Sequence, residues 1–134
     1  MREHGLTPAR KPAAVDSWSL EAATKTALSM LDGNTQTTAL VCANDQLALG
    51  AIIAAKKLRM RCPRDVSVVG YNDMPFMDLV DPPLTSVRVP QHDIGAEAAR
   101  LLLSLLVEDG TMPVKHVRLT PELMVRSSTA PPQR

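Results

Sequence analysis

Polar side chains follow two apolar runs of the sequence, at the point where each run ends. Asn44 and Asp45 come directly after TTALVCA, and Asn72 and Asp73 come just after DVSVVG. The single tryptophan, Trp18, follows a shorter apolar run. An aromatic ring stacks on the apolar face of a sugar, while amides and carboxylates bond its hydroxyls. We therefore predict a ligand-binding site built from Trp18, Asn44, Asn72 and Asp73.

The elements that position these residues can be predicted from periodicity and from turn residues. Helical spacing of apolar side chains, with Ser19 as the first cap and Gly110 as the last stop, predicts helices at residues 19–33, 45–58 and 91–108. Short apolar runs predict strands at residues 13–16, 37–43, 65–70 and 84–89, with extended pieces in 115–129. Alternating strands and helices predict an α/β fold with a mostly parallel sheet and flanking helices. Ligands of such sheets bind beyond the carboxyl ends of the strands, where these polar residues lie.

Each candidate residue could instead have a purely structural role. One residue of the pair Asn44–Asp45 is expected to be the N-cap of the helix at 45–58. We assign the cap to Asp45 and the ligand contact to Asn44. Asn72 and Asp73 precede Met-Pro and are also typical of a turn, and a lone tryptophan such as Trp18 is often a core residue. The coincidence of polar groups at several strand ends favours binding.

Composition narrows the classes of function. The chain has 134 residues, a net charge of +1 and 2% aromatic residues, so nothing favours nucleic acid or an acidic partner. The basic cluster in residues 56–64 fits a solvated helix end. We find no apolar run that would span a bilayer and no signal-peptide pattern at the N-terminus. We therefore expect a cytoplasmic chain with no membrane partner.

The residue pattern gives little support for catalysis. Asp45 and Asp73 could be drawn as an acid–base pair, but their spacing in the sequence is weak evidence for catalysis. Cys42 and Cys62 are expected to be free thiols in a reducing compartment. The histidines have no partner at metal-ligand spacing; they are His4, His92 and His116. We predict no catalytic residue, no metal and no cofactor, and we expect that the chain is not an enzyme.

Four segments in this order resemble the LacI/GalR family of bacterial transcription regulators. They are ANDQLALGA, CPRDVSVVGYNDMP, DPPLTSVRVPQHDIGAEAARLLL and LTPELMVRSST. The resemblance runs from about Gly5 to Ala130 and is to the family's sugar-sensing core, which is similar to periplasmic sugar-binding proteins. It implies that residues 1–130 are the C-terminal portion of an effector domain, with residues 131–134 as a tail. The DNA-binding domain and most of the first subdomain are absent, so the chain is expected to be truncated.

The resemblance implies how the chain divides between subdomains. Residues 1–89 and 120–130 would form the C-terminal subdomain, and residues 90–119 would be a crossover segment that belongs to the N-terminal subdomain. Without that partner, the apolar face of the helix at 91–108 is expected to fold back, to exchange with a neighbour or to drive association. That face carries Ile94, Leu101, Leu102 and Leu105.

Roles for individual residues also follow from the resemblance. The family's ligand aromatic, strand-end asparagine and sugar-binding aspartate correspond to Trp18, Asn44 and Asn72, so the last position carries an amide in place of a carboxylate. Arg59 stands where the family has a glycine that ends the helix, so Arg59 is strained or the helix ends differently. A homodimer is implied, paired through the helix after AND and the loop before PPLT. Its predicted interface residues are Leu49, Ile52, Ile53, Met77 and Val80.

The function implied by the resemblance is effector sensing and dimerisation in a LacI-type regulator. The effector would be a sugar or a sugar-like small molecule, and operator DNA would be bound only through the missing N-terminal domain. The alternative is a solute-binding protein of a sugar transport system, which shares the fold. An enzyme that uses Asp45 and Asp73 ranks last.

Overall fold

A computed structural model describes residues 8, 11–33, 37–107 and 115–132. In chain order its elements are α1 (Leu20–Leu31), β1 (Ala39–Val41), α2 (Asp45–Lys57), β2 (Ser67–Asn72), β3 (Thr85–Arg88), α3 (Gln91–Val107) and β4 (Glu122–Met124). The strands form one sheet in the order β1-β2-β3-β4, in which β1, β2 and β3 are parallel and β4 is antiparallel to β3. This confirms the predicted α/β fold with a mostly parallel sheet.

The two helices on one face of the sheet pack closely against each other. At Gly50 of α2, a Cβ would lie 2.5 Å from the Cβ of Ala23 in α1, so only glycine allows this approach. Small side chains on α2, including Ala48, Ala51 and Ala55, are fully or almost fully buried and let the helix lie on the sheet. The core also includes other residues of α1, α2, the sheet and the adjoining loops, namely Ala27, Leu31, Leu40, Ile52, Ala54, Val66, Val68, Met77 and Leu84.

The end of α2 shows whether Arg59 is strained or the helix ends differently from one that ends with glycine. Arg59 has φ 59°, the left-handed conformation that usually belongs to glycine. Its N–H donates to the Lys56 carbonyl at 3.0 Å, and the Met60 N–H donates to the Ala55 carbonyl at 2.9 Å. This pair of hydrogen bonds is a Schellman motif. The helix therefore ends as it would with glycine, and Arg59 carries the backbone strain.

The segment after β4 holds the amino ends of β2 and β3 together. The hydroxyl of Ser128 is fully buried, donates to the Val68 carbonyl at 2.6 Å and accepts from the Thr85 N–H at 2.8 Å. The Val68 N–H in turn donates to the Ser128 carbonyl at 2.8 Å. Residues distant in sequence are therefore required to fix the register of the sheet at this end.

Some predicted element bounds differ from those observed. Residues 13–16 form no strand, although Pro12, Ala13 and Val15 lie over an apolar pocket that α1 and β1 also line. The extended pieces predicted in 115–129 reduce to β4 within the described residues. The predicted helix stop at Gly110 lies outside the described part of the chain.

Helix α3 has no extensive contact with any other helix or strand that the structure describes. Apolar side chains along it are exposed, and they are Ile94, Leu102, Leu103, Leu105 and Leu106. Residues 115–119 and the side of α3 that carries Ala98 and Leu101 line a shared groove. The apolar face of α3 is therefore exposed in the single chain, and its association with another surface stays a prediction. No helix of the described residues is long and apolar enough to cross a membrane.

Candidate functional site

The start of α2 uses Asn44, and not Asp45, as its cap. Asn44 has extended backbone angles, and its Oδ1 accepts a hydrogen bond of 2.8 Å from the Leu47 N–H. This is the geometry of an N-cap. The prediction that Asp45 is the cap is wrong, because Asp45 is already the first helical residue and its side chain turns toward the sheet. The Asn44 amide NH₂ has no partner among the described residues, so it remains available as a donor.

The carboxylate of Asp45 is fully buried and binds two other elements. Its Oδ1 accepts from the Ser86 hydroxyl on β3 at 2.5 Å, and its Oδ2 accepts from the Met74 N–H at 2.7 Å. A buried carboxylate needs such donors, because without them the loss of hydration would be uncompensated. Asp45 therefore ties α2, β3 and the loop after β2 together.

Asn72 ends β2 beside the cap of α2. Val41 of β1 pairs with Val69 of β2, and Asn44 and Asn72 each lie three residues beyond that pair. Neighbouring strands are about 4.8 Å apart, so Asn44 and Asn72 follow adjacent strand ends at one edge of the sheet. The Asn72 side chain is half-buried and has no hydrogen-bond partner among the described residues. The backbone has positive φ at Asn72 (107°) and at Asp73 (54°), so the turn expected from this sequence is present.

Asp73 belongs to an ion-pair cluster. Its Oδ1 accepts from Arg126 Nη1 at 2.6 Å, its Oδ2 accepts from Arg88 Nε at 2.8 Å, and its side chain is 4% exposed. Burial alone would raise the pKa of Asp73, but hydrogen bonds and charges of Arg126 and Arg88 outweigh burial and hold this pKa below its ordinary value. The two arginines give Asp73 a structural role, and its predicted ligand contact stays a prediction.

Sequence reasoning missed the partners of Asp73 and Asp45. Arg126 lies in LMVRSST, where a charged residue interrupts an extended apolar piece, and this interruption was the available signal. Ser86 lies in LTSVRVP and carries no local signal, because its buried hydroxyl has meaning only beside Asp45. Arg88, at the end of β3, reads from the sequence as an ordinary surface charge.

Trp18 is 60% exposed and directly precedes Ser19, the N-cap of α1. This excludes the alternative that the tryptophan belongs to the core of the described chain. An exposed indole remains available to stack on a ligand, but no contact joins it to Asn44 or Asn72. Its role as part of the site therefore stays a prediction.

The predicted interface residues divide into two groups. Ile52 and Met77 are 4% and 6% exposed because they pack in the chain's own core, which corrects their assignment to a surface that meets a partner. Leu49, Ile53 and Val80 are half-buried. The most exposed apolar side chains of the β2–β3 loop (residues 73–84) are Phe76 and Leu79, at 70% and 75%.

The thiols are not suited to nucleophilic chemistry. Both cysteines are free, and burial raises the pKa of Cys42 to about 12 and that of Cys62 to about 11. They are therefore protonated near neutral pH, whereas the thiolate is the reactive form. No cluster of His, Cys, Asp or Glu that could hold a metal ion occurs among the described residues.

Comparison with known proteins identifies the class of this domain. The periplasmic binding protein-like domain matches residues 1–129, so the chain belongs to that family. Its relatives place it within the LacI/GalR regulators, as part of their effector domain. The predicted resemblance is thereby confirmed.

Curated relatives and solved structures agree with this assignment. The transcriptional regulator MalR of Streptomyces coelicolor is 50% identical over 95 residues, which is 69% of this chain and 27% of that protein. The repressor CytR of Escherichia coli is 34% identical over 134 residues, covering 96% of this chain and 38% of that protein. The structure of a CelR–cellobiose complex matches with a TM-score of 0.83 and 31% identity, covering 95% of this chain and 38% of that chain. The chain thus spans well under half the length of these relatives.

Proposed function

We propose that this chain is an effector-sensing and dimerisation module of a LacI-type transcription regulator, and that its effector is a sugar or sugar-like molecule. The observation that carries the proposal is that Asn44 and Asn72 follow the carboxyl ends of neighbouring parallel strands, with the Asn44 NH₂ group and the whole Asn72 amide unpartnered among the described residues. Amide groups at this edge can both donate to and accept from sugar hydroxyls. The exposed ring of Trp18 would supply the apolar contact. Operator DNA would be bound only through a DNA-binding domain outside this sequence.

The regulator is favoured over a transport solute-binding protein because the relatives described above are transcription regulators. The same relatives support a non-enzymatic and cytoplasmic role. The proposed division into subdomains is consistent with the packing. β4, which lies in 120–130, pairs with β3, whereas α3 in 90–119 has no extensive contact with the described elements.

Sugar binding by the full chain tests the proposal. We expect a saturable change in Trp18 fluorescence with one of cellobiose, lactose, glucose or ribose, checked by calorimetry. Asn72→Ala removes one donor and one acceptor, so the affinity should fall about tenfold. Gln91→Ala, which removes an exposed amide from the start of α3, is the matched control and should bind normally. If no sugar binds by either method, the proposal that this chain senses a sugar is contradicted.

The proposed homodimer would be paired through the exposed end of the β2–β3 loop and the outer face of α2. Phe76 and Leu79 present apolar surface there, and each is worth about 1.5–3 kcal/mol when fully buried. Because α3 offers a second apolar surface, the experiment must distinguish association through the β2–β3 loop from association through α3. We expect Leu102→Ser/Leu106→Ser to leave a dimer in sedimentation equilibrium. Adding Phe76→Ser/Leu79→Ser to that background should weaken dimerisation at least about a hundredfold.

The opposite order of effects would contradict this interface. If the loop changes leave the dimer intact in the α3 background, the chain pairs through another surface. If the α3 changes alone give monomers, association is driven by the exposed leucines.

A further inference from the structure

We propose that Asp45 is a positioning residue for Asn72, acting through Ser86 and the backbone of the β2–β3 loop. The inference rests on the proposed function, because it assigns to Asp45 the task of presenting Asn72 to the effector. Asp45 would not itself touch the ligand, since its carboxylate is fully buried.

The contacts around Asn72 carry this inference. The N–H groups of the next two residues are both held by side chains of other elements. The Asp73 N–H donates to the Ser86 hydroxyl at 3.1 Å, and the Met74 N–H donates to Asp45 Oδ2 at 2.7 Å. Ser86 in turn donates its proton to Asp45 Oδ1. Asp45 thus controls both hydrogen bonds, one directly and one by orienting the Ser86 hydroxyl.

This anchoring is needed because the backbone turns unfavourably at the site. Asn72 and Asp73 both have positive φ, a region that is uncommon for non-glycine residues, although Asn and Asp enter it more readily than the others, and hydrogen bonds from other elements stabilise it here. Gly70, on the strand that leads to Asn72, leaves the space that the Asp45 carboxylate fills, because a Cβ at Gly70 would collide with its Oδ1. The packing under the strand is therefore shaped around this carboxylate.

The chemistry of the anchor requires an aspartate. Asp45 accepts hydrogen bonds from two donors, one at each carboxylate oxygen, and its bond from Ser86 fixes the direction of that hydroxyl, which in turn accepts from the Asp73 N–H. An asparagine would keep the shape but only one acceptor oxygen, so either the Ser86 hydroxyl or the Met74 N–H would lose its acceptor. Asn44 and Asp45 are adjacent in the sequence, so this pair of residues would determine the positions of both amides of the proposed site. Asn44 offers its own amide, and Asp45 orients that of Asn72.

Amide hydrogen exchange on the full chain tests the inference. In Asp45→Asn, we expect exchange of the Asp73 and Met74 amides to accelerate at least tenfold. The Val68 amide, bonded to the Ser128 carbonyl, should be unchanged, as should the Leu47 amide at the Asn44 cap. Ser86→Ala, which removes the acceptor for Asp73 while keeping Asp45, should accelerate Asp73 more than Met74. The second variant keeps the test usable if Asp45→Asn does not fold.

Sugar affinity is the second readout. Asp45→Asn should weaken binding of the sugar that binds wild-type protein by about tenfold, matching Asn72→Ala. If exchange of the Asp73 and Met74 amides is unchanged in Asp45→Asn, Asp45 does not position Asn72. If the Val68 amide accelerates equally, Asp45 stabilises the whole fold and does not act specifically on Asn72. If wild-type protein binds no sugar, the proposed function fails, and the exchange pattern alone decides whether Asp45 holds Asn72 in place.

Discussion

Replacing Gly50 with alanine is expected to lower the free energy of unfolding by about 1–3 kcal/mol, although alanine is the better helix former by about 1 kcal/mol. The added Cβ would lie 2.5 Å from the Ala23 Cβ and 2.9 Å from backbone atoms of Ala23 and Thr24. Backbone atoms of α1 can move away only if the two helices separate. Urea denaturation followed by circular dichroism measures the change.

Gly95→Ala is the matched control for this prediction. Gly95 is also within a helix, but an added Cβ there meets nothing within 4 Å. Its replacement should leave stability unchanged or raise it by up to about 1 kcal/mol. If both substitutions had the same sign and size, the close approach of α1 and α2 at Gly50 would be disproved.

Replacing Asp73 with asparagine is expected to lower the free energy of unfolding at pH 7 by roughly 2–3 kcal/mol. The change removes charged hydrogen bonds from Arg126 and Arg88 and leaves Arg126, whose side chain is largely buried, without its counter-ion. An asparagine also turns an NH₂ group toward one of the arginines, which carry only donors.

The size of this effect should depend on pH. The pKa of Asp73 in the folded chain lies below its ordinary value of 3.8, so the ionised carboxylate stabilises the fold. The difference in stability between wild type and Asp73→Asn should therefore be complete above the unfolded pKa of about 3.8. It should shrink as the pH falls from there through the folded pKa, since the unfolded chain takes up the proton first.

Asp81→Asn provides the control for the charge effect. Asp81 pairs with Lys56 at 3.0 Å, but its side chain is 91% exposed, and such surface pairs contribute little. We expect almost no change in stability at any pH. A loss for Asp73→Asn that stayed constant down to the acid limit would show that shape, and not ionisation, is responsible.

The helices show how much of this fold could be predicted from the sequence. Their apolar periodicity depends on neighbours three and four residues away, so α1, α2 and α3 could be placed within one or two residues of their observed ends. Ser19 was identified as the cap of α1 for the same reason, because it bonds the N–H of Ala22, which is close in the chain. The class of fold and the two strand ends that carry Asn44 and Asn72 followed from this local information.

Contacts between distant residues could not be predicted in this way. The choice between Asn44 and Asp45 as cap depends on Ser86, 41 residues after Asp45, because that hydroxyl gives the aspartate a buried partner. Likewise, the ion pair of Asp73 depends on Arg126, 53 residues away. The residues next to each member of such a pair in the sequence do not reveal whether a distant partner contacts it.

The same distinction holds for the surfaces of the chain. By itself, the sequence determined the three helices, the order of the strands from β1 to β3, the α/β class and the family resemblance, since these depend on local patterns and motif order. Only the tertiary structure decided that Ile52 and Met77 are core residues, that Phe76 and Leu79 are exposed, and that Asp45 is an anchor. Burial and pairing depend on which elements meet in space, and that is a property of the whole fold.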